Sequence, residues 1–239
     1  MRIYAFNPEH DLAVANGSEN YTPPPLAVRL RNDLSFLPLW LSELPLNEIL
    51  RSVQTQILPD NIRIFYENMK IEENAEYLPW GWDVYIRKRL INSGARIEDL
   101  PSSSYLDLVR KLSHRRTSIL LLNELKKRAI LPNNINYPLE IKDINEVVAF
   151  AQSHKDCFVK APWSGSGKGV YRGYYPDTID FRNWCSGVIK KQGSIICEPA
   201  YAKKMDFALE FISNGSIVSF AGYSIFSTDK HNSFGGSYV

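Results

Sequence analysis

Phe158-Val159-Lys160-Ala161-Pro162-Trp163-Ser164-Gly165-Ser166-Gly167-Lys168-Gly169-Val170 is the stretch that decides how this chain is read. Cys157 to Lys160 is an apolar strand that ends in a lysine and is stopped at Ala161-Pro162. A Gly/Ser turn runs from Ser164 to Gly169 and leads into Val170-Tyr171-Arg172, a return strand. Glycines let backbone N–H groups approach phosphate oxygens and form an anion-binding concavity. Lys160 and Lys168 would offset phosphate charge. A flexible loop of this kind also suits a lid that excludes water before chemistry.

Two other phosphate motifs fail on their residues. A P-loop needs Gly-x-x-x-x-Gly-Lys-Ser/Thr, but Gly169 follows Lys168 and Pro162 stands where the first glycine belongs. The dinucleotide fingerprint needs Gly-x-Gly-x-x-Gly opening a helix; here Gly165, Gly167 and Gly169 alternate and run into a strand. Further along, Ile195-Ile196-Cys197 is an apolar strand ending at Glu198-Pro199, and Asp206 opens the strand Phe207 to Phe211. Ile217 to Phe220 pairs with it across a turn at Asn214-Gly215. An acid at a strand end can accept hydrogen bonds from an adenine amino group or a ribose hydroxyl. The plain alternatives are a strand-end lysine for Lys160, a hairpin loop for Ser164 to Gly169, a salt-bridge acid for Glu198 and an exposed acid for Asp206.

Outward from this core, two amphipathic helices are predicted before it. One spans Arg116 to Ala129, with Ile119, Leu122 and Leu125 on one face; the other spans Asp143 to Gln152. Asp180 to Lys190 reads as a third helix. Toward the N-terminus, residues 2–6 read as a buried first strand, followed by the polar stretch Glu9-His10-Asp11 at its carboxyl end, where ligand loops sit in open α/β sheets. That stretch reads as a polar loop, with an acceptor-substrate site as the alternative. The Pro23-Pro24-Pro25 run precedes a helix from Leu26 to Asn32, Leu34 to Trp40 and Ile62 to Tyr66 are strand candidates, and Val84 to Ile91 has helical spacing. Strand–helix alternation predicts a small parallel α/β domain over residues 1–112.

In the order and spacing of these motifs the sequence resembles the ATP-grasp superfamily, over nearly its whole length. Phe158 to Val170 resembles that family's phosphate-binding strand and glycine lid, Ile196 to Tyr201 its adenine hinge, and Asp206 to Phe211 the strand whose leading acid holds ribose. The resemblance implies an ATP-grasp fold (α/β overall, α+β in the nucleotide lobes) preceded by a small Rossmann-like parallel domain. It implies three parts: 1–112, then 113–197 with the glycine lid, then 198–239 as the start of a large lobe. Lys160 would contact the α/β-phosphates, and Ser164, Gly165, Ser166, Gly167, Lys168 and Gly169 would close over the β/γ-phosphates. Glu198 with the backbone of Ala200 and Tyr201 would read adenine, and Asp206 the ribose. Glu198 and Asp206 stand one residue further apart than is usual. An earlier basic residue of the family corresponds to Arg115 or Arg116.

The implied activity is an ATP- and Mg²⁺-dependent ligase that joins a small-molecule or peptide carboxylate to an amine or thiol. The alternatives are a non-catalytic nucleotide-binding protein and a small-molecule kinase of the same fold. The family's Mg²⁺-binding acids come on later strands, so they are expected beyond Val239, with this chain a truncated piece. No catalytic residue is assigned.

Composition agrees with an ordinary folded protein. The 239 residues carry 28 Lys+Arg against 26 Asp+Glu, a near balance that gives no case for a nucleic-acid binder. With 44% hydrophobic and 23% charged residues the chain is far from a disordered composition. The cysteines, Cys157, Cys185 and Cys197, are odd in number and at no metal or redox spacing, so they read as reduced thiols of a cytoplasmic protein. The longest aliphatic run, Ile119 to Leu122, cannot span a bilayer. Oligomeric state is left open.

Overall fold

The computed structural model describes the whole chain apart from residues 72–73, 132–134, 155, 165–168, 229–233 and 239. It divides into two compact units, Met1–His114 and Arg115–Val239. In the first, β1 (Arg2–Ala5) is central in a three-stranded parallel sheet, flanked by β2 (Ile62–Ile64) and β3 (Glu76–Pro79). Parallel strands need crossovers, and the chain supplies them as helices. α1 (His10–Asn16), α2 (Pro25–Asp33) and α3 (Leu46–Thr55) lie between β1 and β2 in sequence. α4 (Val84–Asn92) and α5 (Ser103–Leu112) follow β3. Proline at the first position of α2 fits the helix entry its φ favours. Asp83 caps α4, its Oδ1 accepting from the Ile86 N–H at 2.8 Å.

Buried residues alternate to the two sides of the sheet. Ile3, Ala5, Tyr77, Ile86 and Leu90 belong to one cluster, with Trp82 packed on it; Tyr4, Leu39, Ile62 and Ile64 belong to the other. Two expectations are corrected here. Leu34 to Trp40 is no strand: Leu37–Leu41 winds into a 3₁₀ turn, because Pro38 removes a donor that a ladder would need. Glu9-His10-Asp11 is no exposed loop: His10 opens α1, and Glu9, its cap residue, is only 1% exposed.

The second unit opens with α6 (Arg116–Lys127), followed by β4 (Leu139–Ile141) and α7 (Ile144–His154). Then come β5 (Cys157–Lys160), β6 (Val170–Arg172), α8 (Ile179–Gln192) and β7 (Ile195–Pro199). Four strands form a sheet in the order β4-β7-β5-β6, with every neighbouring pair antiparallel. α7 and α8 cover one face: Val147, Ala151, Phe181 and Cys185 pack on Cys157, Val159, Ile195 and Cys197. The apolar stripe expected to bury α6 does not do so, since no residue of that helix is buried. β8 (Asp206–Ser213), β9 (Val218–Thr228) and β10 (Phe234–Tyr238) make a separate antiparallel sheet in the order β10-β9-β8. Its β8–β9 hairpin turns at Asn214-Gly215, as the sequence predicts, with the Asn214 N–H donating to the Ile217 carbonyl at 3.2 Å. Large apolar side chains of this sheet stay in the open; Phe207, Leu209, Phe211 and Tyr223 are all more than half exposed.

The class is therefore mixed α/β, with a parallel sheet in one unit and antiparallel sheets in the other. Among the described residues no helix is long and apolar enough to cross a membrane.

Candidate functional site

Strand alternation separates two faces of the four-stranded sheet. Cys157 and Val159 of β5 and Ile195 and Cys197 of β7 point into the core. Phe158, Lys160, Ile196 and Glu198 therefore share the other face. The register puts Phe158 opposite Glu198 and Lys160 opposite Ile196, so Lys160 and Glu198 lie diagonally across the strand pair. They close as an ion pair, Lys160 Nζ to Glu198 Oε1, with roughly a quarter of each side chain exposed. Val170 and Arg172 of β6 extend this face, opposite Lys160 and Phe158. Arg172 lies over the Phe158 ring at 5.4 Å and holds Asp156 through two hydrogen bonds of 2.9 and 2.6 Å. That guanidinium keeps the Asp156 carboxyl below the usual carboxylate range.

The glycine turn begins where β5 ends. Its base is closed by the Ala161 N–H donating to the Gly169 carbonyl at 2.8 Å. Gly169 sits at φ 69°, and a Cβ there would lie 2.7 Å from Ser164 Cβ, so glycine is required by both conformation and space. Ser164 and Gly169 thus face each other across the mouth of the turn. Gly165, Ser166, Gly167 and Lys168, the interior of the expected lid, lie outside the described residues.

Arg115 fastens this base. Its Nε donates to the Ala161 carbonyl at 3.1 Å, and its Nη2 donates to the Ser164 carbonyl at 3.1 Å and to Ser164 Oγ at 3.0 Å. Its own backbone N–H reaches the Pro162 carbonyl at 3.0 Å. Of the two arginines left open by the sequence, Arg115 is the one on the loop; Arg116 instead forms a forked pair with Glu140, which also accepts from Ser194 Oγ. Gln192 is a second fastener that sequence reasoning missed. Its side-chain amide accepts from the Trp163 N–H at 3.0 Å and donates to the Trp163 carbonyl at 3.3 Å. Nothing in the sequence marks it beyond its place just before the helix-ending Gly193.

The stretch expected to act as the hinge, Ile196 to Tyr201, begins in β7 and runs on past its end at Pro199. The Ala200 N–H donates to the Asp156 carbonyl at 3.1 Å. Tyr201 acts as a brace: its hydroxyl accepts from the Asn136 N–H at 2.9 Å and donates to the Asn136 carbonyl at 3.1 Å. Asp206 is placed apart from the Lys160–Glu198 pair. Its partners are Lys203 Nζ and Thr228 Oγ1, both at 2.8 Å, and these hold its carboxyl below the usual range. The structure thus brings Lys160 and Glu198 together on one face of the two central strands, with Ser164 and Gly169 at the base of the turn that follows Lys160, and gives Asp206 its own polar triangle on the separate sheet.

Among the described residues, no three His, Cys, Asp or Glu side chains come together to hold a metal ion.

No family model matches this sequence, and no curated protein matches it either. Among solved structures, the chain is similar to D-alanyl-alanine synthetase A from Vibrio cholerae and to D-alanine-D-alanine ligase from Helicobacter pylori. The first shares 15% identity at a TM-score of 0.41, over 61% of this chain and 41% of that one. The second shares 14% identity at a TM-score of 0.42, over 93% of this chain and 74% of that one. The match therefore spans less than half the length of the Vibrio cholerae protein.

Proposed function

We propose that this chain is the nucleotide-handling part of an ATP-dependent ligase of the ATP-grasp type. One juxtaposition supports this above the rest. A strand-end lysine, Lys160, stands at the root of a glycine turn and meets an acid, Glu198, at the end of the neighbouring strand, on the face turned away from the core. A cation beside a glycine turn suits phosphates, and an acceptor one strand away suits a base amino group. Lys160 then neutralises charge on the α/β-phosphates while the turn from Ser164 to Gly169 covers the β/γ-phosphates. Glu198 and the backbone at Ala200 and Tyr201 orient adenine, and Asp206 takes the ribose after releasing Lys203.

In the ligase reaction a carboxylate oxygen attacks the γ-phosphorus and ADP departs. An amine or thiol then attacks the acyl carbon, and phosphate leaves. This chain's contribution is positioning and charge stabilisation.

The test is a thermal-shift titration with ATP, repeated with Lys160→Ala, followed by assays for ADP and phosphate in carboxylate/amine mixtures. A saturable shift lost in the variant supports the nucleotide site; no shift, or one unchanged by Lys160→Ala, overturns it. Binding with no ADP or phosphate release would replace the ligase with a nucleotide-binding protein. ADP release with a stable phosphorylated product would replace it with a kinase.

A further inference from the structure

Trp80 and Trp82 flank a turn of the first unit that the nucleotide site does not use. Asn7, only 1% exposed, grips the glycine between them. Its Nδ2 donates to the Gly81 carbonyl at 2.8 Å, and the Gly81 N–H donates to its Oδ1 at 3.3 Å. A Cβ on Gly81 would lie 2.5 Å from the His10 ring, so the turn is also packed against an imidazole. Phe6 meets the Trp80 ring edge to face at 5.4 Å. Even so, Trp80 stays 49% exposed and Trp82 is only half-buried. Two indoles held in this way form a preorganised surface, which lowers the ordering cost of binding.

Both indoles line a cavity of about 360 Å³, the size of a small-molecule site. It runs the length of β3, the outer strand of the parallel sheet, from Glu76 to Trp80. Buried Tyr4 and Tyr77 add two more rings to its walls. Its charges are Arg2, Glu43 and Glu76. Arg2 donates from Nη1 to Glu43 Oε2 at 2.8 Å and from Nε to Glu76 Oε2 at 3.0 Å. One guanidinium thus answers two carboxylates, each through a single oxygen, and the wall keeps a net negative charge. An anion entering here meets two carboxylates and an arginine already spent on them. A cation meets the excess negative charge beside aromatic rings, the arrangement that favours cation–π attraction. The two carboxylates, 85% and 59% exposed, stand at the open side, and the rest of the wall is mainly rings and aliphatic carbon. A primary ammonium is strongly hydrated and would trade water for carbon there. A quaternary ammonium has no N–H to leave unpaired.

We infer that this cleft binds a quaternary ammonium compound, with its cation against Trp80 and Trp82 and its charge balanced by Glu43 and Glu76. Such a nitrogen cannot be the amine of the ligase reaction, so the inference goes beyond that reading, and it is tested without nucleotide. The full chain is titrated with choline, with its uncharged carbon isostere dimethylbutanol, and with ethanolamine, which carries N–H groups in place of the methyls. Calorimetry gives the affinities, and the indole Nε1–H resonances report the place of binding. Saturable binding of choline is expected, with the Trp80 and Trp82 resonances moving and those of Trp163 and Trp184 still. Dimethylbutanol and ethanolamine should each bind about fivefold more weakly or worse. Trp80→Leu should weaken choline at least tenfold. Glu43→Gln removes one charge, keeps an acceptor for Arg2 and should weaken choline severalfold. Glu43 lies on the surface, so its variant decides the matter if Trp80→Leu does not fold. Failure of choline to saturate overturns the inference. So does equal affinity for dimethylbutanol or ethanolamine, or choline affinity unchanged in Glu43→Gln.

Discussion

Lys160 and Glu198 are ion-paired across two antiparallel strands, although 38 residues of sequence separate them. The pair sits at a partly exposed strand end, where such an interaction contributes about 0–1 kcal/mol. Lys160→Met should therefore leave the thermal midpoint nearly unchanged while weakening ATP binding at least tenfold. Glu198→Gln should weaken ATP less. Calorimetry with unfolding scans on each variant checks both; a large loss of stability with unchanged affinity would make the pair purely structural.

Arg115 ties down three acceptors at the base of the glycine turn. A hydrogen bond from a charged donor contributes about 1.5–3 kcal/mol net of water, and Arg115 is only half-buried, so Arg115→Ala should destabilise the second unit by about 2 kcal/mol. Lysine lacks the planar fork and should restore little. Hydrogen exchange at Ala161 should quicken in Arg115→Ala more than exchange at Val159.

Gly169 and Gly193 both hold positive φ, at 69° and 86°, but in different surroundings. A Cβ on Gly169 would strike Ser164, whereas one on Gly193 meets nothing within 4 Å. Gly193→Ala should cost about 1 kcal/mol, the left-handed conformation alone. Gly169→Ala should cost about 2–3 kcal/mol and perturb the turn as well. Denaturant unfolding of the two variants separates strain from collision.

Cys157, Cys185 and Cys197 are free thiols buried in the core of the second unit. Burial pushes the Cys157 thiol up to about 11 and the Cys185 thiol up to about 12, and raises Cys197 too. A raised value in the folded state means stability that is whole below the ordinary thiol range and is lost as pH rises through the folded values. The thermal midpoint should fall between about pH 9 and pH 12, and Cys157→Ala should flatten part of that fall. At pH 8 a thiol reagent should label none of the three until the chain unfolds.

The sequence was most informative where local pattern and tertiary role agree. Alternation in Cys157 to Lys160 marks both the strand and its two faces, and the Gly/Ser run marks the turn. Arg115 was legible only as one of a pair with Arg116, and Gln192 not at all, because both hold the turn chiefly through backbone carbonyls or amides, which leave no trace in residue type. Glu9 misled for a related reason: a carboxylate among polar neighbours looks solvated until Arg31, far along the chain, is packed against it. Leu34 to Trp40 has strand-like apolarity, yet Pro38 diverts it into a 3₁₀ turn.

The exposed hairpin has a consequence in solution chemistry. Phe207, Leu209 and Phe211 of β8 stand beside Ile225, Tyr223 and Phe220 of β9, and the facing Phe211 and Phe220 rings meet edge to face at 5.8 Å. An exposed apolar ribbon of this kind makes the behaviour of the chain depend on the place of the surrounding salt in the Hofmeister series. Sulfate and phosphate, excluded from apolar surface, favour its self-association, whereas weakly hydrated anions and mild chaotropes keep it dispersed.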